Sequence, residues 1–199
     1  MEKLPVMERF YTLQGEGAYQ GMAAYFVRLG GCDVGCHWCD VKESWDKNAH
    51  PEVSIDQLVE GAQKYNSSLI VVTGGEPLMH NCDGLTNAFS ENGFQLNVET
   101  SGTHPLTGKW DWICFSPKKF KKPLPEYYES ADELKVVVFN QSDFKWAEEH
   151  ASKLTADCQL YLQPEWSVRE KMTPRIIEYI KSNPKWRLSL QSHKYVNIP

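Results

Sequence analysis

The chain has 199 residues, 41% of them hydrophobic and 24% charged, with a formal net charge of −5. That length suits a single domain over residues 1–199 with a core of its own. The acidic balance argues against nucleic acid, no apolar run nears the ~20 residues of a membrane helix, and residues 1–17 lack a signal-peptide pattern, so a cytoplasmic, reducing setting is expected.

In chain order, Ala24–Leu29 reads as a strand with no helix expected before His50. Ser54–Tyr65 reads as a helix, with Ser54 as N-cap and Ile55, Leu58, Val59 and Ala62 at helical spacing. Leu69–Val72 is a buried strand ending at Gly74-Gly75, and Gly84–Glu91 is a helix stopped near Gly93. Strands are expected at Gln95–Glu99, Trp112–Phe115, Leu134–Phe139 and Gln159–Leu162, with a last one at Arg187–Leu190. Ser142–Leu154 and Thr173–Ser182 read as helices opened by N-cap hydroxyls. Strands alternating with helices imply parallel pairing, because each crossover needs a dozen residues and a covering layer. An open doubly wound sheet and a barrel both satisfy this. The chain is short beside the roughly 250 residues of a full eight-fold barrel, so a barrel here would be partial.

Six cysteines are present, and Cys32, Cys36 and Cys39 fall within eight residues. A tight cluster in a reducing compartment points to a metal or redox site, whereas Cys82, Cys114 and Cys158 read as buried small hydrophobes. Gly31-Cys32-Asp33-Val34-Gly35-Cys36-His37-Trp38-Cys39-Asp40 has C-x3-C-x2-C spacing. Three thiolates leave one iron of a four-iron cubane open to a substrate, and Gly30, Gly31 and Gly35 let the backbone curl around it. A structural zinc knot using His37 is the competing reading, though no second ligand pair at zinc spacing follows.

The cysteine motif, with an aromatic residue just before its third cysteine, resembles the radical S-adenosylmethionine superfamily. Thr73-Gly74-Gly75-Glu76-Pro77 resembles that superfamily's GGEP loop, where a Gly-Gly turn exposes carbonyls and Glu76 offers an acceptor for the methionine ammonium. The resemblance extends to Glu99-Thr100-Ser101-Gly102, Ser116-Pro117-Lys118 and Gln163-Pro164-Glu165-Trp166, each at a strand end. It implies a 4Fe-4S cluster on the three cysteines. It also implies S-adenosylmethionine against Trp38, Cys39, Asp40, Gly74, Gly75, Glu76, Ser101, Ser116, Pro117, Lys118, Gln163 and Pro164.

Phe10-Tyr11-Thr12-Leu13-Gln14-Gly15-Glu16-Gly17, Arg28 and the closing His193-Lys194-Tyr195-Val196-Asn197-Ile198-Pro199 resemble the 7-carboxy-7-deazaguanine synthase family. What this implies is a lyase on a trimmed, TIM-like α/β barrel with outer helices. Its reaction is conversion of 6-carboxy-5,6,7,8-tetrahydropterin to 7-carboxy-7-deazaguanine with loss of ammonia, on the path to queuosine. Leu13, Gln14, Gly15, Glu16, Arg28, Thr73, His193 and Pro199 with its terminal carboxylate would then hold the pterin. Arg28 suits a bidentate pair with the substrate carboxylate, and Gln and Glu match the pterin's donor and acceptor edge. The family also implies Mg2+, a homodimer, and a flavodoxin- or ferredoxin-type electron donor. Val41 stands where the family usually has a Thr or Ser ligand to magnesium, and it offers no side-chain oxygen. A glycyl-radical-enzyme activase and a zinc-stabilised, non-catalytic binding module remain alternatives, and the run Lys118-Lys119-Phe120-Lys121-Lys122 reads as a solvated loop.

Overall fold

A computed structural model describes residues 2–199. Strand β1 (Lys3–Leu13) forms an antiparallel hairpin with β2 (Ala23–Leu29), while its first residues pair with β3 (Glu52–Ser54). Helix α1 (Ile55–Ala62) leads to β4 (Leu69–Gly74), and α2 (Asp83–Glu91) to β5 (Gln95–Thr100). After β6 (Trp112–Phe115) come α3 (Tyr127–Ser130), β7 (Glu133–Val138), α4 (Ser142–Ala151) and β8 (Gln159–Pro164). Helix α5 (Arg169–Ser182), β9 (Trp186–Leu188) and α6 (Ser192–Val196) complete the order.

One sheet runs β3-β1-β2-β4-β5-β6-β7-β8-β9, and every pairing from β2 to β9 is parallel. From β2 onward the spatial order follows the chain and never reverses. Crossovers of one hand that all step the same way place their helices on one face. A doubly wound sheet needs a reversal, so that option is excluded. The result is a partial, unclosed barrel with helices outside and a concave inner face.

Strand alternation sorts the side chains between the two faces. Val27, Leu29, Ile70, Val72, Leu96, Val98, Leu134 and Val136 point outward into the main core beneath the helices. Inside, Ala24, Phe26, Leu69 and Val71 form a smaller cluster, with Phe10 stacked on Phe26 at 5.2 Å. Under β1, β2 and β4 the concave face is therefore apolar. Under β5 to β8 the buried positions Asn97, Glu133, Lys135 and Gln163 make it polar. The site is built on that polar half.

Ser54 caps α1 as expected, within a capping box closed by Gln57. The other two expected caps do not form. Residue Gln141 stands at the N-cap of α4, so Ser142 is already helical, and Thr173 lies inside α5, which starts at Arg169. Asn140 supplies the acceptor instead, its Oδ1 taking the Ser142 N–H at 2.9 Å, while Asp143 reaches back to the N–H of Phe139 and Asn140 at 2.7 Å each. Strand β1 and the short α3 and α6 carry no sequence signal that identified them.

Candidate active site

The cysteine loop leaves β2 and settles on the end of β4 through main chain. Gly75 N–H donates to the Leu29 carbonyl at 3.1 Å, and Glu76 N–H to the Gly31 carbonyl at 2.8 Å. A Cβ on Gly75 would stand 2.6 Å from Cys32 Cβ, so only glycine allows this approach. Gly31 (φ 106°) and Gly35 (φ 76°) occupy the left-handed region that the turn of the loop requires. The His80 ring bonds the Gly30 carbonyl at 2.7 Å, and Cys32 N–H donates to the Trp45 carbonyl at 3.1 Å.

Cys32, Cys36 and Cys39 are unpaired thiols that all line a cavity of about 260 Å³ at the carboxyl ends of the parallel strands. Burial pushes the Cys36 thiol up to about 11 and raises Cys32 as well, so each would have to give up its proton on taking a metal. The zinc-knot reading fails on geometry. His37 turns away to pack edge-on against Phe120 and Phe139, and no three His, Cys, Asp or Glu among the described residues converge on one ion. A cluster presents its thiolates on separate irons, so three thiols spread around one wall suit it.

The remaining expected residues fall into three groups. Trp38, Asp40, Gly74, Gly75, Ser101, Ser116, Lys118, Gln163 and Pro164 line the same cavity as the cysteines, and so do Leu13, Gln14, Gly15, Glu16, Arg28, Thr73, His193 and Pro199. Pro117 does not. Neither does Glu76, expected to accept from the methionine ammonium; here its carboxylate turns to neighbouring turns instead. Its carboxylate is 1% exposed and fully engaged. One oxygen accepts from Thr100 Oγ1 at 2.6 Å and Leu78 N–H at 3.2 Å; the other accepts from Ser101 N–H at 2.7 Å and from the Ser101 hydroxyl. Glu76 ties the β4 turn to the β5 turn, which leaves the glycines and Ser101 to face the cavity.

A charged network that the sequence did not reveal crosses the floor. Lys135 Nζ, on β7, donates to Glu16 at 2.6 Å and to Glu99 at 3.1 Å, while its side chain is only 3% exposed. Gln14 Nε2 donates to the other Glu99 oxygen at 2.9 Å, and Gln191 Nε2 to the other Glu16 oxygen at 3.0 Å. Burial raises the Glu16 carboxyl, but the Lys135 charge and the surrounding donors outweigh it and hold the group at about 2. Burial likewise opposes the Lys135 ammonium, yet its carboxylate neighbours keep it well above its ordinary value. Glu133, below, is raised by burial despite Lys135.

The rim joins both ends of the chain. A Cβ at Gly15 would run into the His193 ring, so this glycine is what lets α6 close over the loop. Ser192 bonds the Gly15 carbonyl through both N–H and hydroxyl at 2.9 Å, and Ser189 Oγ accepts from Gly17 N–H at 3.0 Å. Lys194 reaches Asp40 at 2.6 Å, linking α6 to the cysteine loop. Burial lowers His193 and leaves it a neutral donor–acceptor at pH 7. Arg28 lines the wall while its Nε pairs with Glu8 at 2.6 Å, its register neighbour on β1. That pair orients the guanidinium and leaves its terminal nitrogens to the cavity.

Comparison with known proteins accounts for this layout. Residues 26–137 match the radical SAM superfamily. Over 198 residues the chain is 57% identical to the 7-carboxy-7-deazaguanine synthase of Flavobacterium psychrophilum, covering 100% of this chain and 94% of the relative. The chain belongs to the 7-carboxy-7-deazaguanine synthase family. Family relatives in Synechocystis and Escherichia coli K12 are 48% and 37% identical, over 98% of this chain and 93% and 98% of theirs. The crystal structure of QueE from Escherichia coli superposes with a TM-score of 0.86 at 34% identity, covering 96% of this chain and 95% of that one. As a member of the superfamily, the chain is a radical enzyme of a 4Fe-4S cluster and S-adenosylmethionine.

Proposed function

We propose that the chain converts 6-carboxy-5,6,7,8-tetrahydropterin to 7-carboxy-7-deazaguanine with loss of ammonia. The observation that carries this reading is that the cysteine loop and the rim of Gln14, Glu16 and His193 open into one cavity. Cluster, cofactor and substrate would share it, with Cys32, Cys36 and Cys39 as cluster ligands. Bound there, cluster and cofactor supply hydrogen-atom abstraction; the protein supplies orientation and exclusion of water.

On the cofactor side, Trp38, Asp40, Gly74, Gly75, Ser101, Ser116, Gln163 and Pro164 hold S-adenosylmethionine. Lys118 Nζ is fixed on the Ser116 carbonyl and hydroxyl at 2.5 Å each, from where it can meet a carboxylate. On the substrate side, Arg28 takes the pterin carboxylate. Gln14, Glu16, Thr73 and His193 meet the ring's donors and acceptors, and Leu13, Gly15 and Pro199 close the rim. Magnesium, if the reaction uses it, rests on substrate and water oxygens, because Val41 lines the cavity with methyl groups and the Asp40 carboxylate is engaged by Lys194. A flavodoxin- or ferredoxin-type donor, a homodimer and a cytoplasmic setting complete the reading. No described helix is long and apolar enough to cross a membrane. A glycyl-radical activase, which must admit a protein backbone, fits poorly with a rim closed by α6.

The test is an anaerobic assay of reconstituted protein with S-adenosylmethionine, reductant and the carboxypterin, with and without magnesium, read by mass. A deazaguanine carboxylate product is expected. 5′-Deoxyadenosine without that product would overturn the substrate assignment and leave the radical chemistry standing.

A further inference from the structure

The concave face holds one buried cation that nothing in the proposed cofactor or substrate binding uses. Lys135 sits on β7 in alternation with Glu133 and Val137, so all three point inward. Tyr161, its register neighbour on β8, also faces in. Lys135 lines the cavity, yet its ammonium is occupied by two carboxylates that come from distant parts of the chain. Glu16 belongs to the loop after β1, and Glu99 is the last residue but one of β5. Their remaining oxygens are not idle: Gln191 bonds Glu16 and Gln14 bonds Glu99. Each carboxylate is therefore fixed in both position and rotation, and both line the cavity.

We propose that Lys135 is the positioning residue of the substrate subsite, holding Glu16 and Glu99 as a fixed pair of ionised acceptors for the amino-pyrimidinone edge of the pterin. This deepens the proposed function and rests on it. The chemistry favours the assignment in three ways. A pterin presents adjacent N–H donors on one edge, and two carboxylates fixed by one ammonium present adjacent acceptors. Two carboxylates so close would repel, and one would take up a proton, without a cation between them. An ammonium left bare in this cavity would bind an anion, whereas one already shared by two carboxylates does not. The substrate carboxylate is thereby directed to Arg28, across the sheet on β2. Lys135 thus sets which way round the pterin enters while touching none of the reacting atoms.

The titratable groups facing this network are Glu16 and Glu99 themselves, Glu133 on β7, Cys114 on β6, Lys118 in the loop after β6 and His193 on α6. Of these, Glu16 bears the clearest mark, with its carboxyl held at about 2. Removing the Lys135 charge must let that carboxyl rise toward or above its ordinary value.

The experiment measures KM, kcat and the pH profile of kcat/KM for the carboxypterin with reconstituted Lys135→Gln, Lys135→Arg and Lys135→Gln/Glu99→Gln proteins. Lys135→Gln is expected to raise KM by about ten-fold or more, the loss of charge-assisted contacts, and to move the acid limb of kcat/KM upward. Lys135→Arg is expected to keep the acid limb in place. The double variant removes one positive and one negative charge, so it retains the charge balance and serves if the single variant does not fold. It should keep the raised KM; a wild-type KM there would show that only net charge matters and would overturn the proposal. Wild-type KM and acid limb in Lys135→Gln would overturn it as well, with the function reading intact. A wild-type protein that forms 5′-deoxyadenosine and no deazaguanine carboxylate overturns both readings together.

Discussion

Glu76 shows how a motif residue can serve a site without facing it. Its four hydrogen bonds join two strand ends, and replacing the carboxylate with an amide would set an N–H₂ either against the donors of Ser101 or against those of Thr100 and Leu78. Glu76→Gln should cost about 1–3 kcal/mol. For a protein of this length that is a fall in Tm of roughly 2–4 °C per kcal/mol, read by thermal unfolding of the apoprotein. An unchanged Tm would show that the turn holds without the carboxylate. Glu16 makes a second prediction. Its folded carboxyl, at about 2, lies below the ordinary 4.5, so the stabilisation is complete above about pH 4.5 and is lost as pH falls toward 2. It is on the order of 3 kcal/mol. Denaturant titrations between pH 5 and 3 should show the wild type losing stability more steeply than Glu16→Gln; parallel slopes would refute this. That the cysteines, Gln14, Glu16 and Arg28 would line one cavity was legible, because motif and chemistry coincide in them. Lys135 was not, since Leu134-Lys135-Val136-Val137-Val138 reads as a buried strand in which one lysine looks like a solvent-facing residue. Alternation puts Lys135 on one face of the strand, but nothing in the run says that this face is the concave one.

Elements were readable where local chemistry decides them. The α1 capping box is one such case: both reciprocal bonds between Ser54 and Gln57 are present, at 3.3 Å for Gln57 N–H to Ser54 Oγ and 3.2 Å for the return bond. Ser54→Ala should therefore cost about 1 kcal/mol, seen as a modest drop in the denaturant midpoint with iron binding retained; no drop would mean the packing of Leu58 and Val59 alone sustains the helix. Strand β1 escaped because it serves two partners. Its first residues pair with β3 and the rest with β2, with a register shift between Val6 and Glu8, so one burial alternation never runs its full length. The caps of α4 and α5 were misplaced for a related reason. A hydroxyl near a helix start is a candidate cap wherever it falls, and at α4 Asn140 supplied the acceptor from just before the helix instead.

At the scale of the molecule, a sheet wound in one direction leaves its inner face free of helices, and polar strand residues can reach a ligand there without displacing a core. Alternating strands and helices announced the parallel sheet; the choice between barrel and double winding depended on strand order, which periodicity does not encode. The rim is a property of the whole chain, because Gly15 meets His193 across almost its full length. Gly15→Ala should push α6 off the loop, raising KM for the pterin while the iron content is unchanged; an unaltered KM would show that α6 is not part of the substrate wall. The two halves of the cavity also differ in how much chain each must gather. Glu76 and Gly31, which seat the cysteine loop, are 45 residues apart, whereas the Ser192–Gly15 contact spans 177. By loop-closure entropy the longer span is harder to close by about 1 kcal/mol. Strain, heat or mutation should therefore undo the substrate rim before it disturbs the cluster seat. A damaged molecule of this design fails by spending its cofactor on nothing, long before it loses the iron that makes the radical.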